Sequence, residues 1–510
     1  MYFKRTKFLI IGMSRSGRAA CKLLLKRHAR VYIFDENPSA EVAKAMNELN
    51  ELGATTATKD EVRGTIDNSD VIVLSPGVPI DGELPSYAID KGKCVIGELE
   101  LAYIVSRCPI IAVTGTNGKT TTCSLIYEIF KTAELKCSLA GNIGTPLSSV
   151  VDDCDEDTLS VVEVSSFQLE TVKRFAPHIA CILNITPDHM NRHYNMENYT
   201  YLKSKLIANL SECEYAVLSA DDEIVCKLGE QSKGRKVYFS VKKQTNGAYI
   251  ADNKIFWRGK PVLPISELKL SGIHNLENAL AAVCVAKLVG VDDETIVKGV
   301  CDFSGVKHRQ EKIAEKNGIV YIDDSKATNP DSALKAVESC GESIVLLVGG
   351  IDKGFGYNTF FENIAGRGNV RAVIVYGKSR KQLYRAAENA CIEELYLTVG
   401  FDSAVRTAFG IAKRGDTVLL SPACASFDEF TDFEERGDAF AGLVKSYIED
   451  NELKRDKHCF IDIENKNVCS AKTAVYSDVE STAGASKTDD TSIVVETIGD
   501  FGNESEIDGE

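Results

Sequence analysis

A glycine-rich loop between a short apolar run and a helical segment is the feature that most restricts how this chain can fold. Within Ile110–Ile126 (IIAVTGTNGKTTTCSLI), the apolar run suits a buried parallel strand. Gly115 and Gly118 allow a tight turn, and the N–H groups that follow them open a helix, where phosphate binds. Lys119 can reach outer phosphates, and the Thr120 hydroxyl can ligate Mg²⁺. The segment therefore predicts a βα unit that binds a nucleoside triphosphate.

The loop is shorter than the standard phosphate-binding loop. The standard pattern, G-x-x-x-x-G-K-[ST], requires glycine where this chain has Val113, whereas its first glycine is Gly115. A glycine-rich turn with a chance lysine is the alternative. Because strand, loop, Gly-Lys-Thr and helix follow in the required order, the sequence favours phosphate binding.

The shorter loop, TGTNGKTTT, resembles that of the ATP-dependent Mur ligase family and of folylpolyglutamate synthase. Seven further segments resemble motifs of this family in family order, so that the resemblance covers most of the chain. They are GNIG at Gly141–Gly144, VEVSSFQLE at Val162–Glu170, NITPDHMNRH at Asn184–His193, HNLENALAA at His274–Ala282, KHR at Lys307–Arg309, DDSKATNP at Asp323–Pro330 and LSPACASFDEFTDFEERG at Leu420–Gly437. The last segment resembles the family members that add D-glutamate.

The resemblance implies an ATP-dependent amide ligase of peptidoglycan precursor synthesis, acting as a cytoplasmic monomer. Its substrates would be ATP, UDP-N-acetylmuramoyl-L-alanine and D-glutamate. ATP would convert the alanine carboxylate into an acyl phosphate, because phosphate is a far better leaving group than oxide. The amine of D-glutamate would then attack, and an amide, ADP and phosphate would result. Two Mg²⁺ ions and Lys119 would neutralise the developing charge.

Alternating strand and helix patterns predict an α/β chain of three domains. Residues 1–97 are predicted to form a Rossmann-like domain that binds the UDP part of the substrate, and residues 98–304 a central P-loop ATPase-like domain that binds ATP. KVYFSV and GAYIADNKIFW predict antiparallel strands of a small β subdomain, with a hairpin turn at Asp252-Asn253. Residues 305–451 repeat the alternation as a Rossmann-like, amino-acid-binding domain, closed by a helix over Asp428–Glu449.

Residues 452–510 are predicted to be a disordered acidic extension. They are rich in Ser, Thr, Asp, Glu and Gly and show no sustained helical or strand period. The family resemblance ends before them.

Composition and charge exclude several classes of protein. The net charge of −15 disfavours non-specific nucleic-acid binding, and no apolar stretch is long enough for membrane insertion. The apolar run at the N-terminus is broken at Arg15 and no A-x-A site follows, so a first β-strand is predicted rather than a signal peptide. Sixteen cysteines without CxxC pairs indicate a reducing compartment.

Candidate metal ligands come from three segments near the loop. Thr120 belongs to the loop itself, and Glu163 ends an apolar strand, where a carboxylate is costly unless it is paired or binds a cation. The resemblance assigns Glu163 to one Mg²⁺ and His189, in PDHM, to the second. A solvated strand-edge glutamate and an ordinary polar loop histidine are the alternatives.

The resemblance also implies that a modified lysine ligates the second ion. Free lysine is cationic at neutral pH and repels Mg²⁺, but in this family a lysine reacts with CO₂ to become an anionic carbamate. The spacing Tyr201-x-x-x-Lys205 favours Lys205 for this role, with Lys203 as the competing candidate. A solvated helix lysine is the alternative. Lys119, His189 and Lys205 are thus the predicted catalytic residues.

The remaining ATP contacts are also implied by the resemblance. Asparagines that begin the helix in HNLENALAA would contact adenine, although Asn275 is also a good helix N-cap. A triplet from the third domain would hold the ribose and γ-phosphate, since a planar arginine suits bidentate phosphate contact; surface charge is the alternative. The ATP-binding candidates are Gly115, Thr116, Asn117, Gly118, Lys119, Thr120, Thr121, Asn275, Asn278, Arg309, Asp324 and Lys326.

The first domain carries a weaker ligand signature. Its first turn, Gly12–Gly17, has Ser14 where a dinucleotide-binding G-x-G-x-x-G loop has glycine. NAD(P) or FAD binding and a turn without a ligand are the alternatives. Because this domain holds the UDP group in the family, the resemblance implies the candidates Ser14, Arg15, Ser16, Asp35, Glu36, Ser75, Gly77 and Asn142.

The candidate D-glutamate site combines a cation, a hydroxyl and aromatic groups. Lys353, in GGIDKG, and Ser426 each follow an apolar strand, so both reach the carboxyl edge of the predicted sheet. Two carboxylates need a cation and hydrogen-bond donors. The resemblance places Phe427 and Phe433 beside the amino acid. A surface lysine and a helix-capping serine are the alternatives.

The residues leave three other functions open. Another amino-acid ligase of the superfamily, such as folylpolyglutamate synthase, would use a different acceptor. A P-loop ATPase that acts as a switch or binding module would hydrolyse ATP without an amine. A Rossmann oxidoreductase would bind a nicotinamide cofactor.

Overall fold

The computed structural model describes residues 3–269, 272–303, 305–341, 343–449 and the pair 475–476. These residues form an α/β structure with four β-sheets. The mixed α/β class predicted from the alternating patterns is confirmed. The domain boundaries at 97/98, 304/305 and 451/452 stay predictions.

Strands and helices alternate along the first part of the chain. The elements are β1 (Lys7–Ile11), α1 (Arg15–Lys26), β2 (Arg30–Phe34), α2 (Ala40–Glu51), β3 (Thr55–Thr56), α3 (Val62–Asn68), β4 (Val71–Leu74), α4 (Glu83–Asp90), β5 (Cys94–Gly97) and α5 (Glu98–Val105). The strands form a parallel sheet in the order β3-β2-β1-β4-β5. β1 and β4 are apolar almost throughout because helices cover both faces of the sheet.

The middle part of the chain builds a larger parallel sheet and a small antiparallel one. Its elements are β6 (Ile110–Thr114), α6 (Lys119–Thr132), β7 (Cys137–Gly141), α7 (Leu147–Val150), β8 (Leu159–Glu163), α8 (Ser166–Leu169), β9 (Ile179–Ile182), α9 (Met190–His193), α10 (Met196–Ala208), β10 (Tyr215–Ser219), α11 (Glu223–Gln231), β11 (Arg235–Phe239), β12 (Ala248–Ala251), β13 (Lys254–Trp257), β14 (Lys260–Pro264), α12 (Ile273–Val289) and α13 (Asp293–Asp302). The larger sheet has the order β11-β10-β9-β6-β8-β7. β6, which leads into the glycine-rich loop, therefore lies between β8 and β9.

The predicted β subdomain is confirmed in part. β12 and β13 pair antiparallel around Asp252 and Asn253, whose φ angles of 46° and 56° suit a two-residue hairpin turn. β14 adds a third strand. The prediction for KVYFSV is wrong, because β11 pairs parallel with β10 in the larger sheet. Val237 and Phe239 of β11 are fully buried there, which the alternating pattern alone did not distinguish from a hairpin strand.

The third part of the chain forms a mainly parallel sheet. Its elements are β15 (Glu311–Lys316), β16 (Ile319–Asp323), α14 (Pro330–Ser339), β17 (Ile344–Gly349), α15 (Asn358–Arg367), β18 (Val370–Tyr376), α16 (Arg380–Asn389), β19 (Glu394–Thr398), α17 (Phe401–Ile411), β20 (Thr417–Leu420), α18 (Phe433–Glu449) and β21 (Val475–Tyr476). The order is β15-β16-β20-β17-β18-β19-β21, with β15 antiparallel to β16.

The last helix begins later than its predicted start at Asp428. The backbone N–H of Glu435 donates to Asp432 Oδ1 at 2.9 Å, and the N–H of Thr431 donates to Glu435 Oε2 at 2.7 Å. These side chains satisfy N–H groups at the helix start, so α18 begins at Phe433. Residues 428–432 remain part of the loop after β20.

Most of the predicted acidic extension lies outside the described residues. Only Val475–Tyr476 of it is described, and this strand pairs parallel with β19. Among the described helices, none has the length and apolarity that crossing a bilayer requires.

Buried side chains show how the sheets pack. One apolar cluster contains Phe8 and Ile10 from the first sheet together with Ala112 and Val162 from the larger middle sheet. The third sheet has one apolar cluster on each face. Leu346 belongs to one of them, and the residues directly before and after it on β17 belong to the other. The first two sheets therefore share a core, whereas the third has its own.

Candidate active site

The glycine-rich loop joins β6 to α6 in a conformation that only glycine tolerates well. Gly115 has a φ of 157° and Gly118 a φ of 85°, and a Cβ on Gly118 would lie 2.2 Å from Asn278 Oδ1. Lys119 Nζ donates to the backbone oxygens of Gly115 and Thr116, each at 2.8 Å. The loop thus presents a helix N-terminus and an ammonium group at one place, as an anion site requires.

A buried carboxylate lies beside the loop on β8. Val113 of β6 pairs with Glu163, which is 2% exposed. The Glu163 carboxylate accepts from Thr120 Oγ1 and from Asn142 Nδ2, both at 2.7 Å. Both donors are neutral, and no ion pair to Glu163 occurs among the described residues. A carboxylate and a hydroxyl are oxygen ligands of the kind that Mg²⁺ prefers.

The loop after β9 places two more candidate ligands on the other side of β6. Burial lowers the pKa of His189 to about 4, so its imidazole is neutral at pH 7 and able to bind a metal. Asp188 Oδ2 accepts from Asn329 Nδ2 at 3.2 Å. Asp188 Oδ1 is buried and has no hydrogen-bond partner in the described part of the chain. An unpartnered buried carboxylate oxygen is costly and fits a bound cation.

The structure places Lys203, not Lys205, at the glycine-rich loop. Lys203 is 1% exposed, and its Nζ donates to the backbone oxygen of Gly115 at 2.8 Å. Burial lowers the pKa of Lys203 well below its ordinary value, which favours the neutral amine that attacks CO₂. Lys205 Nζ instead donates to the backbone oxygen of Glu170 at 2.9 Å and lies over the exposed Tyr201 ring.

This placement favours Lys203 over the Lys205 chosen from the sequence, and helix geometry explains why the spacing did not separate them. The spacing Tyr201-x-x-x-Lys205 recurs two residues earlier as Tyr199-x-x-x-Lys203. Residues two apart on a helix are rotated by about 200° about the helix axis and so lie on nearly opposite faces; only one of the two tyrosine–lysine pairs can therefore face the loop. Tyr199 is buried, and its hydroxyl lies 3.2 Å from Thr116 Oγ1.

Residues of the third sheet face the loop across a cavity of about 180 Å³. The predicted ATP-binding residues 116–121, Arg309 and Lys326 line this cavity together with the candidate metal ligands Glu163 and His189. Arg309 Nη1 donates to Ser332 Oγ at 2.6 Å. The cavity is therefore rich in cations and oxygen ligands, as a site for a phosphate chain and its metal ions would be.

Asp324 supports this cavity from behind. It is fully buried, and burial raises its pKa to about 7. Its Oδ2 accepts from Ser421 Oγ at 2.8 Å, and its Oδ1 lies 3.8 Å from Arg309 Nη1. Asp324 thus holds the arginine, and its predicted ribose contact stays a prediction.

Polar contacts close the third sheet onto the glycine-rich loop. Asn117 Nδ2 donates to Asp331 at the start of α14, and Thr186 Oγ1 donates to Asp331 Oδ2 at 3.2 Å. The Asn329–Asp188 hydrogen bond lies on the same boundary. Sequence patterns gave no signal for these contacts, because the partners lie far apart along the chain.

The start of α12 lies beside a larger cavity of about 600 Å³, which α14 also lines. Gly272, with a φ of 93°, is the N-cap of α12, so the alternative that Asn275 caps the helix is wrong. Asn278 is buried and accepts from Thr122 Oγ1 at 3.2 Å. The adenine contacts stay predictions, with a cavity of suitable size at the same helix.

The loops that carry Lys353 and Ser426 lie side by side. Ile351 and Ala425 exchange backbone hydrogen bonds of 2.8 and 3.0 Å. Lys353 Nζ donates to Thr328 Oγ1 at 3.0 Å, and burial lowers the Lys353 pKa. The alternative of a surface lysine is therefore wrong.

The other three D-glutamate candidates differ in exposure. Ser426 is 2% exposed and precedes the start of α18 by several residues, so it does not cap that helix. Phe433 lines the cavity, where its ring lies 4.4 Å from Lys326 Nζ. Phe427 is 68% exposed at the protein surface. Their contacts with an amino acid stay predictions.

Several UDP candidates meet at the carboxyl edge of the first sheet. Ser14 Oγ lies 3.0 Å from Ser75 Oγ, and Asp35 Oδ2 accepts from the backbone N–H of Met13 at 2.7 Å. Four of the UDP candidates are exposed, and Ser16 is half-buried; the exposed ones are Ser14, Arg15, Glu36 and Gly77. Asn142 lies instead beside Glu163 in the cavity at the glycine-rich loop.

An arginine that sequence reasoning missed connects this edge to the middle sheet. Arg192 forms a two-point ion pair with Glu170, with Nη2–Oε2 at 2.7 Å and Nε–Oε1 at 3.0 Å. Its Nη2 also donates to the backbone oxygen of Val78 at 3.1 Å. The loop that contains Gly77 is thereby tied to the segment that contains His189.

Comparisons with known proteins agree with this arrangement. Residues 113–286 match the model of the Mur ligase middle domain, and residues 308–424 match that of the Mur ligase, glutamate ligase domain. The UDP-N-acetylmuramoylalanine–D-glutamate ligase of Caldanaerobacter subterraneus subsp. tengcongensis is 41% identical over 447 residues, which are 87% of this chain and 99% of that protein. The ligase of the same name from Geobacillus kaustophilus is 40% identical over 446 residues, 87% of this chain and 98% of its own length.

Solved structures share the fold. The UDP-N-acetylmuramate-alanine ligase MurC of Thermotoga maritima superposes with a TM-score of 0.57 at 20% identity, over 87% of this chain and all of that chain. MurF ligase of Thermotoga maritima, solved in complex with ADP, gives a TM-score of 0.52 at 14% identity, over 88% of this chain and all of its own.

Proposed function

This chain belongs to the Mur ligase family, and from that premise we propose that it adds D-glutamate to UDP-N-acetylmuramoyl-L-alanine at the expense of ATP. The observation that carries this function is the single cavity that joins the glycine-rich loop, the acidic groups beside it and the cations of the third sheet. Relatives about 40% identical over nearly their whole length carry the name of this ligase.

The residues around the cavity divide the work of the reaction. Lys119, Arg309 and Lys326 bind the phosphate chain and neutralise charge as the phosphoryl group moves to the alanine carboxylate. Lys353 and the Ser426 hydroxyl hold D-glutamate so that its amine faces the acyl phosphate. The contacts of Asn117, Thr186 and Asp188 with the third sheet keep water away from that reactive intermediate.

Mg²⁺ fits the residues at the site. A first ion would be held by Thr120 and Glu163, and a second by Glu163 and His189 beside the unpartnered Asp188 oxygen. We assign the carbamate that completes the second site to Lys203, because its buried amine lies at the loop. Bound Mg²⁺ would polarise the phosphoryl oxygens and stabilise their negative charge.

The UDP group of the acceptor would bind the carboxyl edge of the first sheet. Ser14, Asp35 and Ser75 supply hydroxyl and carboxylate groups there. Arg192 places this edge next to the metal site through Glu170 and Val78. The alanine carboxylate at the far end of the substrate can therefore reach the γ-phosphate.

One chain supplies all these groups, which supports a monomer as the active species. The cysteines that the structure describes are all free thiols, which supports a cytoplasmic location.

Phosphate release tests the function directly. With ATP, Mg²⁺ and UDP-N-acetylmuramoyl-L-alanine, we expect phosphate release only when D-glutamate is added, with one phosphate per amide formed. Equal release without an amine would indicate an ATPase instead. Glutamylation of a folate in place of the UDP substrate would indicate folylpolyglutamate synthase.

Replacing Lys353 should weaken D-glutamate binding selectively. Loss of one charge-assisted contact, about 1.5–3 kcal/mol, predicts that Lys353→Ala raises the KM for D-glutamate about 10- to 150-fold. The KM for ATP should change far less. Steady-state kinetics with each substrate varied in turn measures both values, with Lys381→Ala on the exposed face of α16 as the control. Equal effects on both substrates, or efficient use of L-glutamate by the unaltered enzyme, would argue against this site.

Removal of residues 452–510 should leave the ligase reaction largely intact. Relatives are matched over 98–99% of their own length by 87% of this chain, so a part of this chain of about the length of the extension has no counterpart in them. We expect kcat to stay within about twofold of that of the full chain, an effect no larger than a typical surface change. A large loss of kcat in a chain ending at Asn451 would show that the extension supports the body, for instance through β21 at the sheet edge.

A further inference from the structure

Arg436, in the first turn of α18, is a buried cation that forms no ion pair within the part of the chain that the structure describes. Its side chain is fully buried and is the largest fully buried side chain among the described residues. Within the described ranges of the chain, no carboxylate lies within ion-pair distance of its guanidinium. Burying an unpaired charge is costly, so the fold must satisfy it in another way.

Backbone oxygens of three neighbouring strand ends satisfy this guanidinium. Arg436 Nη2 donates to the backbone oxygen of Ser325 at 2.9 Å, and Nε donates to Ser325 Oγ at the same distance. Nη1 and Nη2 donate to the backbone oxygen of Cys424 at 3.3 and 3.2 Å, and Nη1 also reaches the backbone oxygen of Gly349 at 3.4 Å. These residues follow or end β16, β20 and β17, which are adjacent in the sheet.

Each contacted segment leads directly to a residue of the candidate active site. Ser325 precedes Lys326, which lines the cavity, and Cys424 lies two residues before Ser426. Gly349 leads to the loop that carries Lys353. One planar fork therefore sets the distance between the loop that contacts phosphate and the two loops assigned to D-glutamate.

The charge of Arg436 also reaches this site. Burial is the main cause that lowers the pKa of Lys353, and the charge of Arg436 is a smaller cause in the same direction. Burial raises the pKa of the Cys424 thiol to about 12, and the charge of Arg436 opposes that rise. Two anionic ligands, the phosphate chain and D-glutamate, would bind in this positive field. Anionic ligands would thus compensate in the complex for a charge that no carboxylate of the described residues pairs with.

We propose that Arg436 is a positioning residue that aligns the D-glutamate loops with Lys326, so that the amine rather than water consumes the acyl phosphate. This inference rests on the proposed ligase function. It predicts that loosening the fork uncouples phosphate release from amide formation. A purely structural role would lower the amount of folded enzyme but would leave their ratio unchanged.

The test compares Arg436→Lys with Arg371→Lys. Lysine keeps the positive charge but loses the planar fork. Arg371 is the matched control, because it pairs with Asp416 and Glu394 at the opposite, amino end of the same sheet. In Arg436→Lys we expect phosphate release to exceed amide formation and the KM for D-glutamate to rise about 10-fold, as for loss of a hydrogen bond to a charged group. Arg371→Lys should lower thermal stability and keep one phosphate per amide.

A second variant keeps the inference testable if Arg436→Lys does not fold. Ser325→Ala removes the hydroxyl that accepts from Nε and donates to the backbone oxygen of Phe433 at 2.8 Å, and it leaves the other four hydrogen bonds of the guanidinium in place, so it should cause a smaller excess of phosphate over amide. One phosphate released per amide formed in folded Arg436→Lys would overturn the inference; if that variant does not fold, the same result in Ser325→Ala would do so. Equal uncoupling in Arg371→Lys would also overturn it. If the unaltered enzyme forms no amide from D-glutamate, the proposed function itself fails. If the unaltered enzyme forms one amide per phosphate released, the variants test only the role of Arg436.

Discussion

Lys119→Ala should abolish amide formation while the protein stays folded. Lys119 starts α6, lines the cavity and has its ammonium 2.8 Å from two loop oxygens. Without it, the charge that develops on the transferring phosphoryl group loses a preorganised cation, which typically costs about 100- to 1,000-fold in rate. Chromatographic detection of the amide at saturating ATP measures the loss, and a thermal melt checks the fold.

Lys131→Ala is the matched control for this variant. Lys131 lies on the same helix but is exposed, where it pairs with Glu128 at 3.8 Å. We expect normal turnover because exposed ion pairs contribute little. Near-normal turnover by folded Lys119→Ala would remove the ATP assignment of the loop.

Lys203→Ala should be nearly inactive, and acetate should restore part of the activity. The Lys203 amine is buried at Gly115, where a carbamate would bring oxygens to the second metal site. Loss of that anion should reduce kcat by about 100-fold or more, as for other groups that stabilise transition-state charge. A small carboxylate can occupy the space that the side chain leaves. Initial rates across a series of acetate concentrations, with chloride at equal ionic strength as the comparison, measure the rescue.

Lys205→Ala separates this assignment from the competing one. Lys205 lies two residues further along α10 and contacts only the backbone oxygen of Glu170 and the Tyr201 ring among the polar and ring contacts described. It should keep most of the activity. Full activity in Lys203→Ala would contradict the assignment of the carbamate to Lys203. Loss of activity with acetate rescue in Lys205→Ala would support its assignment to Lys205.

Local patterns were enough to predict the parts of the fold that local physics determines. The order of strand, glycine-rich loop and helix predicted β6 and α6, because glycine conformation and strand burial act over a few residues. Asp252-Asn253 predicted the β12–β13 hairpin for the same reason. Glu163 could be placed near the loop because parallel strands end at a common edge, whereas the role of His189 came from the family resemblance.

Predictions failed where a long-range contact or a helix phase decides. Nothing local distinguishes Lys203 from Lys205, since both follow a tyrosine at the same spacing and only packing selects the buried one. β11 has the same alternation as a hairpin strand, yet it pairs with β10. The contacts of Asp331 and Arg436 could not be predicted because their partners come from distant segments.

The site itself was predicted unevenly for the same reason. Motif residues of the glycine-rich loop and the third sheet meet in one cavity, as the resemblance implied. Asp188, Thr328 and Asn329 complete that cavity, although each is a common polar residue that the recognised motifs contain without an assigned role. Their role depends on how two sheets meet, which a single sequence does not encode locally.

The core shared by the first two sheets bears on how the enzyme moves. Side chains such as Phe8 and Val162 belong to one apolar cluster, so sliding the first sheet against the sheet that carries the glycine-rich loop would disrupt packed interior. The clusters of the third sheet are separate from it in the described chain. Val306 packs against the middle cluster and β15 begins at Glu311, so a rotation of the third sheet would bend the short segment between them. Arg309 lies in that segment and lines the cavity at the glycine-rich loop, so bending the segment would move this cation relative to the loop.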